Sequence, residues 1–132
     1  MTLVDWPTVA SSLSWLDTVS ISWRRTLEVR VRELTDAPCR QFLYAFPGTI
    51  ALKVVDESVS SRDYDDVSPQ SNSYYAKDSA WISELELSTQ GFKPLNHYLL
   101  FTASHSLEVI AEKGLCKELE PLGEQELKRI LR

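Results

Sequence analysis

Leu27-Glu-Val-Arg-Val-Arg-Glu33 and, after a short gap, Gln41-Phe-Leu-Tyr-Ala-Phe-Pro-Gly-Thr-Ile-Ala-Leu-Lys-Val-Val55 are the stretches on which the fold turns. Leu27, Val29 and Val31 alternate with Glu28, Arg30 and Arg32, the period-two pattern of a strand with one apolar and one solvated face. Phe42, Tyr44 and Phe46 share one face of the next segment. Ile50, Leu52 and Val54 alternate around Lys53 in the one after. Asp36-Ala-Pro38 marks a turn, and Pro47-Gly48 marks a tighter one. Strands with so short a link pair antiparallel, because a parallel pair needs a long crossover. Phe42 to Val55 is therefore expected to form two strands joined by a tight turn.

Working outward, Val19, Ile21 and Trp23 alternate with serines. Leu95 to Thr102 and Ser106 to Ala111 are rich in strand formers and flank Thr102-Ala-Ser-His-Ser106, the pattern of a hairpin. Three segments carry helical spacing. In Trp6 to Leu16, Pro7 suits a first helical position and Val9, Leu13 and Leu16 recur at i, i+4 and i+7. Around 78–89, Asp78 or Ser79 can cap a helix that turns Ile82 and Leu85 inward and ends near Gly91. The same residues fit a strand with Trp81, Ser83, Leu85 and Leu87 on one face, and the helix is preferred. Glu124 to Leu131 places Leu127, Ile130 and Leu131 together and sets Glu124 to pair with Lys128 at i+4. The expected fold is α+β: a single domain over residues 1–132 with a mostly antiparallel sheet of about six short strands and two or three helices.

A chain of 132 residues with 43% apolar and 25% charged side chains has ordinary globular composition. It is long enough to bury a core without metal or disulfide staples. No apolar run approaches the roughly 20 residues that span a bilayer, so no membrane helix is expected. Met1 to Pro7 lacks a basic lead-in and a long apolar stretch, so a secretory signal is not expected either. Cys39 and Cys116 are too few for a disulfide framework, and the pattern points to free thiols in a reducing cytoplasm.

The net charge is −5, a poor balance for gripping phosphates, and no DNA or RNA binding is expected. The excess is concentrated: residues 56–78 hold six acidic and two basic side chains. Within this stretch residues 58–73 are dominated by Ser, Asp, Asn and Pro with no apolar period, and are expected to form a long inserted loop. Asp56, Glu57, Asp63, Asp65 and Asp66 supply negative charge beside Tyr64, Tyr74 and Tyr75. Together these eight residues are the expected partner-binding surface, with tyrosines as anchors and acids as steering groups.

Chemistry-bearing motifs are sparse. Gly48, Gly91, Gly114 and Gly123 are not spaced to cradle a phosphate. His97 and His105 would be several rungs apart on the hairpin, one on a sheet face and one at the tip, and a shared metal is not expected. Asp56-Glu57 and Asp65-Asp66 are adjacent acids in a polar loop, without the contrasting surroundings that separate an acid from a base. No nucleophile-elbow sequence occurs, although any of many serines could meet a histidine and a carboxylate in the fold. No catalytic residue, metal site or cofactor is expected. Trp6, Trp15, Trp23 and Trp81 fit core positions, with one or two able to line a groove.

Phe46-Pro-Gly-Thr-Ile-Ala-Leu-Lys-Val-Val-Asp-Glu57, with Pro94-Leu-Asn-His-Tyr-Leu-Leu-Phe-Thr102 running into Leu107-Glu-Val-Ile110, resembles small acidic immunity proteins of bacterial polymorphic toxin systems. The resemblance covers about half the chain and lies in strands, turns and strand-end acids. It implies a protein-binding inhibitor, not an enzyme, that neutralises a basic toxin domain by stoichiometric contact in the cytoplasm. The alternatives are a generic intracellular interaction module, or a small-ligand or enzymatic domain whose site exists only in the fold. A pocket holding His97 with a carboxylate would favour the last.

Overall fold

The computed structural model describes residues 2–13, 15–56, 71–88 and 94–131, and for residues 86–88 the backbone alone. These residues form nine strands and two helices: β1 (Thr2–Asp5), β2 (Leu16–Trp23), β3 (Leu27–Glu33), β4 (Cys39–Phe46), β5 (Thr49–Asp56), β6 (Ser73–Lys77), α1 (Ala80–Ser88), β7 (Asn96–Phe101), β8 (His105–Ala111), β9 (Leu115–Leu122) and α2 (Glu124–Ile130). Every strand pairing is antiparallel. One sheet has the order β1-β6-β7-β8-β5, the other β2-β3-β4-β9. Among the described residues no helix is long and apolar enough to cross a membrane.

The alternation in β3 and β4 decides what lies between the sheets. Leu27, Val29, Val31, Phe42, Tyr44 and Phe46 point inward and meet Tyr98, Leu100, Leu107 and Val109 from the other sheet in one buried cluster. Each such apolar side chain contributes about 1.5–3 kcal/mol on leaving water, so this shared layer is the main source of stability. Trp6 plugs one end, its ring centroid 4.7 Å from Tyr98 and 5.6 Å from Tyr44. β7 is buried on both faces: Leu99 and Phe101 point outward and join Leu3 and Tyr74 in a second cluster. At the opposite end the hydroxyls of Thr18 and Thr102 are 2.9 Å apart, and the Ala103 amide donates to the Leu16 carbonyl at 2.8 Å.

Mostly antiparallel pairing, the β7–β8 hairpin and both helices of the C-terminal half agree with expectation. Lys128 and Glu124 lie 3.4 Å apart on α2. Three expectations are corrected. There are nine strands where about six were read, because β1, β6 and β9 lack clean alternation. Residues 6–16 are not a helix. They run as turns in which the Thr8 carbonyl accepts from both the amide and the hydroxyl of Ser11, and the Thr8 hydroxyl accepts from the Ala10 amide. Such short hydroxyl side chains divert backbone groups from a helical ladder, and Trp6 gains more by entering the core. Finally, the strands flanking Pro47-Gly48 do not pair with each other. β4 lies between β3 and β9, whereas β5 pairs with β8. The chain changes sheets there because the apolar faces of both strands are wanted in the same interior. Gly48 sits at φ +68°, a left-handed conformation in which a side chain is strained, and this is why glycine suits the crossing.

Candidate functional site

Of the eight residues expected at a partner surface, the structure describes three. Asp56 ends β5 with an exposed side chain, opposite His105. Tyr74 is fully buried in the outer cluster, 5.6 Å from Phe101, and its hydroxyl donates to the Ser71 carbonyl. Tyr75 is half-buried and points to the inter-sheet core. Tyr74 therefore serves packing, because adjacent residues of a strand face opposite ways and both faces of β6 are covered. Glu57, Asp63, Tyr64, Asp65 and Asp66, with most of the expected 58–73 loop, lie outside the described residues.

The two ends of that segment are well fixed. Asp56 and Ser73 both register against the β7–β8 hairpin near its turn, so they occupy the same end of the five-stranded sheet. Three strand spacings separate β5 from β6, a gap of about 14 Å. Asn72 clamps the return. Its amide nitrogen donates to the carbonyls of Ala10 and Leu13, both at 2.9 Å, and its oxygen accepts from the Ser73 hydroxyl at 2.6 Å. The Tyr44 hydroxyl completes this interior network, 2.7 Å from Ser73 Oγ and 3.1 Å from Thr8 Oγ1. Desolvation pushes the Tyr44 phenol far above its ordinary pKa. The Cys116 thiol is likewise raised by burial. Asp17 joins the same hairpin end, accepting from the Ser104 amide at 3.2 Å and from the Ser104 hydroxyl.

A second constellation appears on the outward face of the five-stranded sheet. The chain leaves β6 through Asp78 at φ +56°, the one positive-φ residue other than glycine among those described. It then enters α1 through Ser79. Ser79 Oγ accepts from the Ile82 amide at 3.2 Å, the bond of an N-cap, and lies 2.7 Å from His97 Nδ1. His97 Nε2 lies 2.9 Å from Glu108 Oε1, and Lys53 Nζ is 3.8 Å from the other Glu108 oxygen. Ser79 and His97 are both buried. The Trp81 ring stands edge-on to the imidazole, centroids 5.5 Å apart. Sequence reasoning recognised His97 as a sheet-face residue but not this partnership. His97 and Glu108 are set side by side only by the β7–β8 register, and Ser79 only by the turn into α1.

Two further features complete the inventory. An open groove of about 430 Å³ is lined by Trp6, Pro7, Thr8, Val9, Gly114, Leu115 and Cys116. Trp6 and Trp81 pack as expected of tryptophans, whereas Trp15 and Trp23 are exposed. Cys39 and Cys116 are free. Among the described residues no group of three or more His, Cys, Asp or Glu is placed to hold a metal ion.

Comparison with known proteins gave no match, whether to a family model, a curated protein or a solved structure.

Proposed function

We propose that the chain is a protein-binding inhibitor of the immunity type, which neutralises a basic toxin domain by stoichiometric contact through its acidic 56–78 segment. The observation that carries this reading is the mounting of that segment. Five of its six acidic side chains, Asp56, Glu57, Asp63, Asp65 and Asp66, fall between the two points where strands of the sheet hold the chain, Asp56 and the Asn72 clamp. Asp17 adds negative charge at the same end. A dense negative patch on a rigid frame raises the encounter rate with a basic surface and fixes the orientation of the encounter. Tyr64 supplies an aromatic anchor in the segment. The cytoplasm suits the two free thiols.

The test is a rescue experiment followed by kinetics. The product of the adjacent reading frame, expressed alone, arrests bacterial growth, and co-expression of this chain restores it with a 1:1 complex recovered. Replacing Asp63, Asp65 and Asp66 together by Asn then slows association on the order of tenfold at low salt and flattens its salt dependence. Unchanged association kinetics in the triple variant would remove the segment from the mechanism. Absence of both rescue and complex would remove the inhibitor reading itself.

A further inference from the structure

We propose that Ser79, His97 and Glu108 form a nucleophilic serine site that accepts an acyl group from carboxylic esters. This goes beyond partner binding and uses residues that the inhibitor reading does not need, so either can fail without the other.

Acyl transfer needs one arrangement of protons along this line, and the contacts accommodate it. The Ile82 amide donates into Ser79 Oγ, and in that arrangement the serine O–H donates to His97 Nδ1 at 2.7 Å. Nδ1 is then the unprotonated nitrogen, and Nε2–H donates to Glu108 Oε1 at 2.9 Å. That is the tautomer a general base requires: a bare nitrogen facing the nucleophile and a carboxylate behind the ring to steady the imidazolium. Lys53 Nζ lies 3.8 Å from the second carboxylate oxygen. The serine also opens the nine-residue helix α1, where amide dipoles favour a developing negative charge.

Two observations separate this arrangement from a plain helix cap. Capping uses one of the Ser79 hydrogen bonds, and the second engages His97, which Glu108 holds from the other side of the ring. The residue immediately before it, Asp78, is held at φ +56°, in the left-handed region. The chain turns sharply there, and the turn sets the serine between the end of β6 and the start of α1. Ser79 is 6% exposed and His97 2%, so the nucleophile and its base stand in a site largely closed to water. The half-buried Trp81 indole beside the imidazole gives an apolar wall for the acyl group.

The step balances as acyl transfer. Ser79 Oγ bonds to the carbonyl carbon while its proton passes to His97 Nδ1. The ester C–O bond breaks, and the leaving alkoxide takes that proton. Water, activated by the same nitrogen, then releases the carboxylic acid and restores the serine. Ser79 and His97 are the catalytic residues, and Glu108 is a positioning residue acting through the ring.

The experiment uses the full chain with a fluorophosphonate, which reports the first half of this chemistry: Oγ–P forms, P–F breaks and fluoride leaves. Intact mass is expected to show one adduct per chain, mapped to Ser79, with slow hydrolysis of p-nitrophenyl butyrate by the untreated protein. Ser79→Asn keeps a capping side chain without the nucleophile and is expected to abolish labelling. Glu108→Gln is expected to lower the labelling rate by at least ~100-fold and to move its pH profile downward, a change that loss of packing alone does not produce. No adduct on the folded wild-type chain overturns the proposal. So does an adduct that persists in Ser79→Asn or is spread over several serines.

Discussion

Replacing Asn72 tests the anchoring of the acidic segment most directly. Its amide group makes four contacts in the interior: donation to the carbonyls of Ala10 and Leu13, and acceptance from the hydroxyls of Ser73 and Tyr44. Asn72→Ala removes all of them and brings no compensating group. At about 1 kcal/mol net per buried hydrogen bond, discounting the 3.4 Å contact to Tyr44, the loss is about 3 kcal/mol. Asn72→Asp keeps the shape but turns an oxygen toward two carbonyl oxygens, so it should cost at least as much. The measurement is urea unfolding followed by tryptophan fluorescence, with Trp6 packed beside the affected turn. A loss of about 3 kcal/mol corresponds to a fall in Tm of roughly 10 °C for a domain of this size. Amide exchange should accelerate at residues 8–13 before it does in β3 and β4. A loss under 1 kcal/mol for both variants, or a milder effect of Asp than of Ala, would refute the clamp and with it the rigid mounting of the segment.

Two other outcomes follow from the interior. Tyr44 stays neutral in the folded state well past the pH at which an unfolded tyrosine ionises, so its contribution is intact below about pH 10 and is lost as pH climbs toward the raised folded value. Urea titrations between pH 9 and 12 should show that decline, and Tyr44→Phe should flatten it while costing about 1–3 kcal/mol at neutral pH through the lost hydrogen bonds to the Ser73 and Thr8 hydroxyls. Gly114→Ala places a methyl group 2.9 Å from Trp6 and from the Tyr98 ring, and should cost about 1–3 kcal/mol by overpacking, read as a lower urea midpoint at constant m.

What the sequence disclosed depended on how each strand is buried. β3 and β4 expose one face, so their alternation is plain, and the β7–β8 hairpin announces itself through strand formers around a polar turn. β6 hides because Tyr74 and Tyr75 are both needed, one for each covered face. β9 hides because it is an edge strand, tolerant of Lys117, Glu118, Glu120 and even Pro121. β1 has four residues and no period to detect. Residues 6–16 mislead because helical spacing of Val9, Leu13 and Leu16 says nothing of where Trp6 will pack. The acidic segment is legible as composition at once, whereas the Ser79–His97–Glu108 line is a product of register and of a single turn. Residues 18 and 29 positions apart acquire a common chemistry only when the sheet sets them side by side.

The change of sheet at Pro47-Gly48 has a bearing on how the molecule comes into being. One sheet takes strands 16–23, 27–33, 39–46 and 115–122, while the other takes strands 2–5, 49–56, 73–77, 96–101 and 105–111. Neither layer is encoded by a continuous run of codons. A nascent chain that has not yet delivered residues 115–122 carries β4 with one bare backbone edge beside Phe42 and Phe46, a surface inviting the wrong neighbour. Completion must therefore be close to all-or-none, with the two layers closing around each other in a single late event.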